Sequence, residues 1–240
     1  MIGFGELRRL AAQWQVDIAI AERAYAIDWI LYGLFTHARL ARALVLRASA
    51  ALRYAYCADY PTIENPDLWI ISALDFSRDL IEALQTAANA SGLRLTLVAH
   101  ERGMVKVEYT GPLGRRSAAQ PRITLALVAG QTQMPPARVP LIHRFSDNCV
   151  AMVQAIALEE FVAERVAGFA RTPRARDVFD LWFALTHAQM DRAQMRAPAL
   201  FDPNSLAALA RVWDAALRDV RDHPTLAQVE NDLRAIFSTW

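Results

Sequence analysis

LEEFVAERVAGFARTPRARDVFDLWFAL, residues 158–185, contains two helices in succession. Phe161, Val162, Val166 and Phe169 recur at three- and four-residue spacing, which turns one face of the first helix into a core. Glu159, Glu160, Glu164 and Arg165 lie between them as polar positions. Thr172-Pro173 ends that helix, and Arg176 to Leu185 forms another on Val178, Phe179, Trp182 and Phe183. Asp177 and Asp180 stand three apart near its start, on one side of the helix. Acids there are also what the helix dipole favours, and an ion pair with Arg174 or Arg176 is their structural rival.

Working outward, 240 residues with 54% hydrophobic content are enough for one large domain or two small ones. A net charge of +1 supplies no general attraction to nucleic acid, so any such binding needs a local patch. Cys57 and Cys149 lack metal-ligand spacing, and the five histidines are scattered. The opening MIGFGELRRL does not read as a signal peptide, and no run of about 18 apolar residues offers a membrane span. The expectation is a cytoplasmic protein that makes no membrane contact.

Residues 4–15 and 17–40 read as helices, the second holding AERAYAIDWILYGLF. Leu44-Val45-Leu46 suits a short buried strand, and Ser49 suits the start of a helix that follows it. A strand, a small-residue turn and a helix start together make a phosphate-binding device. Asn65-Pro66 marks a loop before an apolar strand, and residues 77–90 read as a helix. Residues 93–109 alternate as two strands about Glu101-Arg102-Gly103, and RITLALV, 122–128, is a further strand. Strands are expected near 43–47, 68–75, 93–100, 104–110 and 122–128. Residues 131–142 read as a Pro-rich connection, and 143–157 as a lead into the two helices quoted above. The segments 186–197, 203–221 and 224–238 read as a helical bundle behind the Arg176 helix.

The run Leu158-Glu159-Glu160, then Ala163-Glu164-Arg165, then Arg176-Asp177-x-x-Asp180-Leu-Trp resembles the C-terminal signature of the AbiEii/AbiGii family of nucleotidyltransferase toxins. The resemblance covers about residues 18–185 and implies a nucleotidyltransferase fold. That is a mixed α/β sheet with flanking helices over 1–142, followed by a helical half over 143–240. It implies a nucleoside triphosphate as substrate or ligand, magnesium if the enzyme is active, and tRNA, an antitoxin or a defence-complex protein as partner. Catalytic roles carry over to Asp75, Arg165, Asp177 and Asp180, with Asp75 as metal ligand. Nucleotide binding carries over to Arg47, Ser49 and Arg176.

The chain departs from the family wording in several places. Arg165 stands where the family carries Lys, although Lys106 is the chain's only lysine. The family's Lys-Gly-Gly-Thr-Ala-Leu reads Arg47-Ala48-Ser49-Ala50-Ala51-Leu52 here. The family's Ser-x-Asp-Leu-Asp-Phe is matched to Ser72-Ala73-Leu74-Asp75-Phe76, which leaves Ala73 at one carboxylate position. The third carboxylate is expected at Ala126, and no acid occurs between Arg115 and Pro140. Two-metal nucleotidyl transfer depends on such carboxylates. Three readings follow: a nucleotidyltransferase-fold pseudoenzyme that still binds nucleotide, RNA or a partner; an active magnesium-dependent toxin; and a non-catalytic scaffold of a phage-defence complex.

Overall fold

The computed structural model describes the chain except residues 62, 64, 73–75, 102, 115–120, 172–173, 189, 191–202, 219 and 239–240, and the side chains of 170–171 and 203–205. The chain divides into two compact units, Met1–Ile156 and Ala157–Trp240.

The first unit is built on a seven-stranded mixed sheet. Helix α1, Phe4–Trp14, stops at Gln15, whose left-handed backbone (φ 57°) turns the chain. Asp17 then caps α2, Ile18–Thr36, by accepting the Ala19 N–H at 2.8 Å. α2 is apolar nearly all round, which marks a helix enclosed by other elements. Its Gly33 lies against α5, Phe76–Ser91: a Cβ there would come within 2.3 Å of the Ala83 carbonyl oxygen. Only glycine lets the two helices approach so closely.

A short α3, Leu40–Ala43, leads into β1, Leu44–Leu46, which is buried at every residue as a central strand should be. α4, Ala48–Ala51, and a π-helical turn, Leu52–Tyr56, follow it. β2, Asp67–Ile70, runs antiparallel to β1, pairing Leu44 with Ile70 and Leu46 with Leu68. β3, Arg94–Glu101, and β4, Met104–Thr110, form a hairpin turned at Gly103 (φ 77°). β5, Arg122–Ala129, is antiparallel to β4 and parallel to β2.

Two further strands lie where the sequence suggested only connections. β6, Ala137–Pro140, pairs antiparallel with β7, Met152–Ala155, and β7 joins β1 in parallel at Leu46↔Ala155. The full order is β3-β4-β5-β2-β1-β7-β6. With these two strands the first compact unit extends to Ile156. Pro140 hides β6 from pattern reading, yet proline is acceptable on an edge strand such as this one. β2 is also shorter than its expected span of 68–75, ending at Ile70.

The second unit is helical: α6, Leu158–Arg171; α7, Ala175–His187; α8, Pro203–Ala216; and α9, Leu226–Phe237. α7 packs on α6, α8 and α9. Phe161, Val178, Phe179, Leu209, Trp213, Leu233 and Phe237 are buried. Thr225 and Gln228 close a reciprocal capping box at the start of α9. The helix expected over 186–197 falls mostly outside the described residues. Among the described residues no helix is long and apolar enough to cross a membrane.

Candidate functional site

In the first unit the site begins where β1 ends. Arg47 leaves the strand with extended backbone (φ −135°), and its N–H donates to the Asp67 carbonyl at 3.1 Å. Ala48 follows with φ 50°, the left-handed region that glycine occupies without strain. The conformation is thus the one the family's glycine would suit, carried here by a residue with a Cβ. Ser49 sits in the next position, half-buried, at the start of α4.

Because β1 and β2 are antiparallel, the end of β1 lies beside the start of β2. The acidic residue whose backbone is bonded to that of Arg47 is therefore Asp67, which opens β2. Asp67 in turn pairs with Ala126 on β5, and the Ala126 N–H donates to the Pro66 carbonyl at 3.1 Å. Asn65 holds the loop to the same strand by accepting the Thr124 N–H at 3.0 Å. Arg47, Asp67 and Ala126 thus form a row across one end of three strands. Asp67 was missed in the sequence because Asn65-Pro66 reads as a loop and strand direction is not written in the residues.

Asp75 and Ala73 lie outside the described residues. Past the end of β2, the Ile71 N–H donates to Ala43, at the opposite end of β1 from Arg47. On β2 itself, alternation puts Trp69 on the same face as Asp67. The Arg47 guanidinium stacks 4.7 Å from the Trp69 ring centroid. Gly130 clears the space the indole occupies: a Cβ there would come within 2.5 Å of Trp69 Cδ1. So an Arg–Trp stack fills the position on β2 that shares a face with Asp67.

The second unit brings its four expected residues together on α6 and α7. Arg165 reaches Asp177 Oδ1 at 3.1 Å with one terminal nitrogen and Asp180 Oδ2 at 3.3 Å with the other. Arg176 approaches Asp180 Oδ1 at 3.7 Å, so both oxygens of Asp180 face guanidinium groups. Asp180 is 1% exposed and the Arg165 side chain 13%. Arg165 also lies over the Phe161 ring, 4.8 Å from its centroid. This is an ion-paired clamp between two helices. The partner of Asp180 expected from the sequence, Arg176, is present, but Arg165 is the central cation. Arg174 is the N-cap of α7 and makes no side-chain cap bond there.

One polar group escaped sequence reading altogether. His143 lies 2.8 Å from Asp28 through Nδ1 and 2.8 Å from Asp147 through Nε2, and the Tyr25 hydroxyl donates to Asp147 at 2.6 Å. Burial opposes charging the imidazole, but the two aspartates outweigh it and raise its pKa. The network fastens the segment after β6 onto α2. Glu22, also on α2, is spent on structure: burial raises its pKa, and its carboxylate accepts the Leu113 N–H at 2.6 Å.

Residues 67–237 match the family described as "Nucleotidyl transferase AbiEii toxin, Type IV TA system". No curated protein matches. Among solved structures, the chain is similar to MenT4, a nucleotidyltransferase toxin from Mycobacterium tuberculosis H37Rv. The TM-score is 0.60 at 14% identity, over 99% of this chain and 89% of that one. It is also similar to JHP933 from Helicobacter pylori, with a TM-score of 0.52 at 12% identity over 89% and 87% of the two chains. Likeness at such identities speaks for the fold alone, whereas the family match runs from the first residue of β2 to the last of α9. On that match, the chain belongs to the AbiEii nucleotidyltransferase toxin family.

Proposed function

We propose that this protein is the nucleotidyltransferase-fold partner of a type IV toxin–antitoxin pair that binds a nucleoside triphosphate beside Arg47 and Ser49, with nucleotidyl transfer lost or strongly reduced. The single observation that carries this is the row Arg47–Asp67–Ala126. It keeps a cation and one carboxylate, but Trp69 and Ala126 flank Asp67 where further acids would be needed.

Two magnesium ions in such a site need several bridging carboxylates to neutralise the triphosphate and activate the attacking oxygen. Among the described residues of the row, Asp67 alone offers one, so the donor set does not fit a metal pair. Arg47 suits phosphate as a planar cation, and its stack on Trp69 keeps its orientation defined. The Arg165–Asp177–Asp180–Arg176 cluster is proposed as a structural clamp first. Its catalytic role in this chain is the weaker reading, because ion pairs already occupy both oxygens of Asp180.

The test is a thermal-shift and calorimetric titration with each nucleoside triphosphate, with and without magnesium, alongside label transfer to total tRNA. The expected result is nucleotide binding that does not require magnesium, weakened about tenfold or more in Arg47→Ala, and no labelled RNA. Magnesium-dependent label transfer that Asp67→Ala abolishes would establish an active toxin instead. No nucleotide binding, together with a stable co-purifying protein, would favour the scaffold reading.

A further inference from the structure

The close approach of α2 and α5 at Gly33 and Ala83 has a chemical result at the end of α2. His37, the C-cap of α2 one turn beyond Gly33, faces Asp79 and Glu82 near the start of α5. Those two acids are three residues apart and share one side of their helix. His37 Nε2 lies 3.4 Å from Glu82 Oε2 and 4.0 Å from Asp79 Oδ1. One donor atom from each of the three residues lies within 4.8 Å of the other two. Ligands about 2.0–2.1 Å from a tetrahedral ion sit roughly 3.3 Å from each other. Small rotamer adjustments would therefore close the trio around an ion.

The carboxylates are disposed to accept one. Glu82 gives Oε1 to Arg78 at 2.8 Å and turns Oε2 towards the imidazole. Asp79 sets Oδ1 against Arg39 at 3.3 Å, while its Oδ2 is buried without a hydrogen-bond partner among the described residues. The Asp79 side chain is only 3% exposed, and an unpartnered carboxylate oxygen at that depth is costly. Arg39 and Arg78 are 54% and 83% exposed. Such surface ion pairs contribute little and give way readily to a tighter ligand.

We propose that His37, Asp79 and Glu82 hold one divalent transition-metal ion of zinc type, which clips the end of α2 to the start of α5. One imidazole with two carboxylates suits zinc, cobalt or manganese. Magnesium and calcium prefer all-oxygen shells. The site belongs to the helices α2 and α5 and is separate from the Arg47–Asp67 row on the sheet.

Chelator-stripped full-length protein would be titrated calorimetrically with zinc, cobalt and magnesium, with thermal melting and the cobalt visible spectrum followed in parallel. The expected result is one zinc or cobalt ion per chain and a rise in Tm of about 5 °C or more at roughly 100-fold excess over Kd. Magnesium should not substitute. His37→Ala and Glu82→Gln should each weaken binding by at least about tenfold, while Asp67→Asn binds the metal unchanged. Asp79→Asn removes a buried charge and can fail to fold, so the other two variants decide. Absence of stoichiometric binding, or binding in His37→Ala and Glu82→Gln equal to that of the native chain, would overturn the proposal.

Discussion

Asp180→Asn is the sharpest test of the clamp between α6 and α7. The substitution keeps the shape of the side chain and removes its charge, and one of its new amide hydrogens must face a guanidinium that is itself only a donor. The Arg165 contact at 3.3 Å is a charge-assisted bond between groups 13% and 1% exposed, so its loss should cost about 2–3 kcal/mol. The Arg176 contact at 3.7 Å, from a side chain 26% exposed, adds well under about 1 kcal/mol. Arg165 keeps Asp177 at 3.1 Å, which limits the damage. For a chain of this size the total corresponds to a fall in Tm of roughly 4–10 °C. Asp177→Asn should cost under about 1 kcal/mol, because Asp177 is 24% exposed. Thermal melting of both variants, with circular dichroism to confirm folding, gives the comparison. If Asp180→Asn melts within about 1 °C of the native chain, or if Asp177→Asn costs as much as Asp180→Asn, the clamp argument is wrong.

Two further outcomes follow from the same structure. Gly130→Ala should destabilise by about 1–3 kcal/mol because its Cβ would meet the Trp69 indole, and the loss should largely vanish in a Trp69→Ala background; additive effects in denaturant melts would show that the two residues do not share that space. His143 has a raised pKa in the fold, so its stabilising contribution is fully present below the unfolded-state value of about 6.5 and is lost as pH rises through the folded value. A neutral imidazole can donate to only one of Asp28 and Asp147, and the stability gap between the native chain and His143→Gln should therefore shrink from pH 5.5 to pH 9, whereas a constant gap would refute the account.

Much of the architecture is legible in the residues. The period of Phe161, Val162, Val166 and Phe169 marks α6, and the unbroken Leu44-Val45-Leu46 marks a strand covered on both faces. The turn at Gly103 separates two alternating runs, which pair as read. The pairing of β6 with β7 is not legible. Ala137–Pro140 has neither a run nor an alternation of large apolar residues, and β7 owes its place to β1, more than a hundred positions earlier in the chain. Local pattern reports local preference, and a strand held by distant partners need not display one.

The same division runs through the site. Helical spacing places Asp177 and Asp180 three apart on one face, and the resemblance to the family adds Arg165 and Arg176 to them; the structure brings the four together. The departure of Ala48 from glycine is equally visible, and the positive φ at that position agrees with it. Which acid belongs beside Arg47 is another matter. A search along the chain takes the end of the strand after the turn and arrives at Asp75. The antiparallel register of β1 and β2 brings the beginning of that strand to Arg47, and with it Asp67, whereas Asp75 lies outside the described residues. Strand direction is decided by backbone hydrogen bonds between segments far apart in sequence, and those bonds are blind to side-chain identity. The sequence therefore determined which residue types this protein could bring to a site, and the tertiary pairing alone decided that Asp67, at the start of β2, has its backbone bonded to Arg47.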